Sequence, residues 1–169
     1  MAERRTMARA RRARRRGKSP TTQAGEFVRE EFHHIRHGRH GARSTRQAIA
    51  IGLSKARRAG VDVGAPRRAS SKTRAQAARE RREGRTRHST SPTRSRAVEG
   101  ALRREGRRAG SHESIARHSR TVARMRGRSA RHRSAEKAVR TKGPAGLHRA
   151  AQKAARTRER HRSLGRRSR

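Results

Sequence analysis

The 169-residue chain has no Cys, no Trp and no Tyr, and only two Phe, Phe27 and Phe32. Without Cys there is no disulfide framework and no thiolate metal site, which fits a reducing compartment. The shortage of aromatics removes the stacking platforms on which RRM and OB modules hold bases. Acid is scarce: 12 Asp and Glu stand against 51 Lys and Arg, and Asp62 is the only Asp. Apolar residues make up 28% of the chain, against a usual share of about 45–50%. Such a chain is expected to bury too little apolar surface to offset the entropy of ordering itself as one large domain. No run approaches the roughly 18 apolar residues of a membrane span. No apolar segment follows the basic N-terminus, so no secretory signal is expected. No strand alternation and no glycine-rich phosphate loop are present, and nothing builds a pocket to orient the abundant Ser and His. The pattern therefore calls for no enzyme and no cofactor.

What remains is positive charge. The formal net charge is +39 and the sequence pI about 12.0. Excess of this sign needs a polyanion: nucleic acid, anionic membrane or an acidic protein surface. At one negative charge per about 1.7 Å of duplex, full engagement would cover about 66 Å, some 20 base pairs. That is the scale of a coating protein. The cation is mostly Arg, 45 against 6 Lys. Guanidinium binds phosphate bidentately and stacks on exposed bases, so RNA stands beside DNA as a partner.

Composition divides the chain into three. Residues 1–22 hold nine basic residues and one acid and read as a disordered basic N-terminal arm. Residues 23–63 hold eight basic residues and four acids, with both Phe and three of the four Ile, and read as a helical hairpin core. Residues 64–169 are a low-complexity Arg, Ala and Ser tail that would bind nucleic acid. The predicted fold class is all-α where ordered: a short helix pair at about 23–60, flanked by largely disordered Arg-rich arms with transient helices.

The first helix is placed at about 23–37, where Phe27, Val28, Phe32 and Ile35 share a face and Gly38 stops the helix. The second runs about 45–59. Ser44 and Gln47 form a capping box, Ala48, Ile49, Gly52, Leu53 and Ala56 form a stripe, and Gly60 ends it. Gly52 would let the two helices approach closely. The large apolar side chains of this pair fall short of its ordering cost, which points to a partner or to a homodimer through 23–60. Helix-capable pieces at 95–108, 111–126 and 144–161 suffer like-charge repulsion and are expected to order only on a polyanion.

The core QAIAIGLSKARRAG (47–60), the preceding EFVREEFHHIRHGRHGARST (26–45) and, more loosely, ALRREGRRAGSHESIARHSR (101–120) resemble a family of small basic bacterial proteins of unknown function. Its members are sometimes labelled plasmid-stabilisation or histone-like DNA-binding proteins. The resemblance implies a bacterial origin, a DNA-associated role and no catalytic residues. The remainder is similar to bacterial histone-H1-like tails, except that those use Lys.

The residues expected to meet phosphate are Arg11, Arg12, Arg14, Arg15 and Arg16 in the N-terminal run, then Arg57, Arg58, Arg67, Arg68, Arg81, Arg82, Arg103, Arg104, Arg107 and Arg108. The plain alternative for each is a solvated charge. Ser19-Pro20 and Ser91-Pro92 read as linker turns, or as turns fitted to a narrow minor groove. His33, His34, His37 and His40 form a cluster, with His33 and His37 at a spacing that can chelate a metal and Glu30 one turn earlier. The alternative is polar surface, and no metal is assigned to it.

The function expected from these readings is non-sequence-specific DNA binding by a non-enzymatic, histone-like, nucleoid-associated cytoplasmic protein that neutralises phosphate. The alternatives are an RNA- or ribosome-associated basic protein and a plasmid-maintenance module whose 23–60 helices bind a partner. Membrane action ranks last, because no helix pairs a strong apolar face with the charge.

Overall fold

The computed structural model describes residues 2–66, 69–86 and 91–167. Among them the chain is all-helical and forms seven α-helices and one 3-10 turn: α1 (Ala2–Arg15), α2 (Pro20–Arg36), α3 (Thr45–Arg58), α4 (Ser71–Glu83), α5 (Pro92–Arg103), the turn at Arg108–Gly110, α6 (His112–Met125) and α7 (Gly127–Arg167). α7 is broken at Gly143, where φ is 63° and ψ 176°, and Pro144 begins its second part. The chain divides into a compact unit at Met1–Ser119 and a second at Arg120–Arg169. The described parts of the expected disordered arms are mostly helical, which corrects the view of a lone hairpin between unstructured arms.

Local chemistry explains α2 and α3. Ser19 is the N-cap of α2, its hydroxyl accepts from the Thr22 amide, and Pro20 follows in the first turn. Proline there loses no hydrogen bond, because first-turn amides have no partner inside the helix. The step that reads as linker punctuation is therefore a helix start, three residues before the predicted one. At α3 the Ser44 hydroxyl accepts from the Gln47 amide at 3.1 Å, and the Gln47 side chain accepts from the Arg43 amide at 2.7 Å. This is a capping box whose return bond lands one residue before the cap. The two helices cross at Gly52. A Cβ built there would lie 2.7 Å from Val28 Cα, so only glycine allows this approach.

The pair is covered by its own chain. α1 lays Thr6, Met7 and Ala10 against α2, and Ala10, Ala24, Phe27, Ala56, Val61 and Val63 form one apolar cluster. Phe32, Ile35, Ala42, Ala48 and Ala109 form a second, in which Ala109 comes from the 3-10 turn. The Thr45 hydroxyl donates to the Ala109 carbonyl at 2.9 Å, and a Cβ at Gly110 would meet Ile35 at 2.7 Å. The hairpin loop is tied to the same segment by Gly41 N–H to Leu102 O and Ala42 N–H to Gly106 O. The large side chains of 23–60 are only part of this core. It is filled largely by alanines and by Val61 and Val63, which let backbones come close.

Buried charge closes the α3–α4 side. Arg57 is buried, with Nη1 2.9 Å from Glu80 Oε2 and Nε donating to Val63 O at 2.9 Å. Glu80 also accepts from the Ser54 hydroxyl and the Gln76 amide. Burial alone would push the Glu80 carboxyl up. The hydrogen bonds from Gln76, Ser54 and Arg57, with the Arg57 charge, outweigh that and hold it below the ordinary carboxylate value. α5 has no buried residue, and none of the described side chains of α7 is buried. Among the described residues no helix is long and apolar enough to cross a membrane.

Candidate nucleic-acid interface and histidine cluster

An arginine meets phosphate most readily when its guanidinium is exposed and not already committed to a carboxylate. On that test the expected residues separate. Arg11, Arg12, Arg14, Arg15 and Arg16 are exposed at the C-terminal end of α1, and no ion pair among the described residues engages them. Their helix is held down by the opposite face: Thr6 and Ala10 are buried, and Arg9 Nε meets Glu26 Oε2 at 2.8 Å. Arg82, Arg104, Arg107 and Arg108 are likewise exposed without a carboxylate partner among the described residues.

The others are engaged. Arg57 is withdrawn from the interface altogether, because its charge is spent on Glu80 inside the fold. Arg58 lies 3.7 Å from Glu83, Arg81 pairs with Asp62, and Arg103 pairs with Glu99 one helical turn away at 2.7 Å. These three pairs are exposed or half-exposed, and exposed pairs are worth about 0–1 kcal/mol, so phosphate can displace them. Arg67 and Arg68 lie outside the described residues.

The four histidines separate as well. The His33 and His37 rings lie 4.1 Å apart on the exposed side of α2. His34 and His40 turn the other way, toward Glu31. α2 carries Glu31 and His34 at a spacing of three, which puts them on one face. Gly38, at φ 71°, turns the chain back in the left-handed region and delivers His40 to the same place. Glu31 is fully buried. Its Oε2 accepts from Lys55 Nζ of α3 at 2.8 Å, and its Oε1 lies 3.2 Å from His40 Nε2. Burial first, then the charges of Lys55 and Arg39, push the His34 imidazole down to about 4, so it is neutral at physiological pH. The group borders a cleft of about 960 Å³ whose lining also includes Val98 and Leu102 of α5.

The sequence points to Glu30 as the acid near these histidines, and Glu30 does lie 3.9 Å from His34. The acid at the centre is its neighbour Glu31. The i, i+3 spacing to His34 was the available signal, whereas Lys55 and His40 reach it only through the hairpin. No family model, curated protein or solved structure matches the chain.

Proposed function

We propose that the chain is a histone-like DNA-binding protein of the bacterial nucleoid, which acts without catalysis and without reading base sequence, by neutralising backbone phosphate. The observation that carries this reading is the set of exposed arginines on folded helices with no carboxylate to neutralise them, of which Arg11, Arg12, Arg14, Arg15 and Arg16 are the densest. The net charge of +39 supports it.

The mechanism differs from that of a flexible polycation. A chain that orders only on its ligand loses binding energy to ordering. Arginines on a preformed helix avoid most of the backbone part of that cost. Anchoring α1 through Thr6 and Ala10 presents its arginine end as a unit. Low specificity follows from contacts made to phosphate rather than to base edges.

Electrophoretic shift of a duplex over a salt series tests the reading. Log affinity should fall linearly with log salt, by about 0.9 for each phosphate neutralised. Replacing Arg11, Arg12, Arg14, Arg15 and Arg16 by Gln, which keeps helix propensity, should reduce the slope by up to about 4.5. Competition with structured RNA separates the RNA alternative. A duplex that is not shifted even at low salt overturns the proposal.

A further inference from the structure

We propose that Glu31, His34 and His40 form a Zn²⁺ site at the hairpin turn, with its remaining coordination position open to the α3–α5 cleft. One ring nitrogen of each histidine and one carboxylate oxygen all lie within 4.8 Å of one another. Two histidines and one glutamate make a known catalytic or open-site donor set for zinc, with metal–ligand distances of about 2.0–2.2 Å. A tetrahedral ion of that size holds its ligands about 3.4 Å apart. The His40 Nε2 to Glu31 Oε1 separation of 3.2 Å already suits it. No gap need close by more than about 1.4 Å, within reach of side-chain rotation, since the His34 and His40 side chains keep 13% and 12% of their exposure.

Three observations say that something positive belongs among these atoms. Glu31 Oε1 is fully buried and accepts no hydrogen bond. An unsatisfied buried charged oxygen is costly, so it marks a missing partner. His40 Nδ1 donates to the Gly41 carbonyl at 3.0 Å, so in the neutral ring Nε2 is a lone pair, aimed at Oε1. His34 Nε2 is also a lone pair, because the contact at 3.3 Å comes from the Arg39 guanidinium, which can only donate. A cation placed among these atoms would take such lone pairs, with the carboxylate oxygen, as ligands. Arg39 is exposed and can swing aside. Lys55 holds the other oxygen of Glu31, and the Gly41 carbonyl orients His40, which are the roles that outer groups play around bound metals.

The rival histidine pair, His33 and His37, provides the control. Nucleic-acid-free full-length protein is titrated with Zn²⁺ by calorimetry, and with Co²⁺ by its visible absorption. One equivalent should bind. His34→Ala, His40→Ala and Glu31→Gln should each weaken it at least about 10-fold, the scale seen even for outer-group changes. The double variant His33→Ala/His37→Ala should bind as before. Because Glu31→Gln disturbs a buried group, its helicity is checked by circular dichroism. In the unaltered chain, Co²⁺ should broaden the ring protons of His34 and His40 ahead of those of His33 and His37. Absence of saturable binding at one equivalent overturns the site. So does loss of binding in the His33/His37 variant with retention in the His34 and His40 variants.

Discussion

The two units of this chain use one residue vocabulary to opposite ends. Residues 1–119 hold ten of the twelve acids, and residues 120–169 hold two, Glu136 and Glu159, against 18 Lys and Arg. In the first unit the acids are placed. Glu31, Glu80 and Glu26 each meet a cation from another helix. In the second, Glu136 reaches His132, one turn away on the same helix. Alanine divides the same way: Ala10, Ala24, Ala48, Ala56 and Ala77 are buried in the first unit, whereas the described alanines of α7 are exposed or half-exposed. Helicity therefore does not by itself mean a packed core. The first unit is held by tertiary burial and crossed charge pairs. The second relies on local propensity.

Deleting 127–169 should break the comparison most visibly. It removes 15 Lys and Arg, so the salt slope for duplex should fall by up to about 13. The melting temperature of the remainder should stay unchanged, as followed by circular dichroism. A collapse of that melting temperature would mean that the second unit supports the first.

The buried pair comes next. Arg57→Ala should cost about 3–5 kcal/mol in urea unfolding, because it strands Glu80 in the interior. Arg149→Ala on exposed α7 should cost less than about 0.5 kcal/mol. The pair also sets a pH dependence. The Glu80 carboxyl titrates below its ordinary value in the folded chain. As pH falls, the unfolded chain takes up that proton first. The stability is thus present above about pH 4.5 and is lost below it, as the folded carboxyl protonates. In Glu80→Gln this acid-sensitive component should vanish from the unfolding curves. Equal acid slopes in the two proteins would contradict it.

Gly52→Ala tests the helix crossing. Propensity alone would favour the alanine by about 1 kcal/mol. The close approach to Val28 Cα should outweigh that and leave a net loss of about 1–3 kcal/mol. A stabilised variant would show that the helices can separate freely. Ser44→Ala should have the smallest effect, about 1 kcal/mol, by removing the hydroxyl that caps α3. Ser134→Ala within α7, where the hydroxyl only donates back to Ala130 O, should be close to neutral.

Legibility in the sequence followed the reach of each interaction. The α2 and α3 stripes, the Ser44 cap, the Gly38 and Gly60 stops and the Gly52 crossing are all written within a few residues and read correctly. α1 was obscured because its buried face is only Thr6, Met7 and Ala10, and the surrounding arginines dominate any local average. The burial of Arg57 was illegible for a different reason. Its partner lies 23 residues away on α4, and nothing near Arg57 in the chain announces it. The histidine cluster was visible, but Glu31 was not singled out beside it, because the turn that carries His40 back to Glu31 is a matter of backbone conformation at Gly38.

Sequence by itself determined the charge, the all-helical character and the absence of a large aromatic core, since these depend on composition and on periodicity within a turn or two. Tertiary structure alone decided which arginines face solvent and which is spent inside, and that Ala-rich arms would fold back to cover the hairpin. The reason is that burial is a property of surfaces brought together across 23 to 64 residues of chain. For a small side chain such as Ala, or a charged one such as Arg57, identity alone does not say which side of that surface it will occupy.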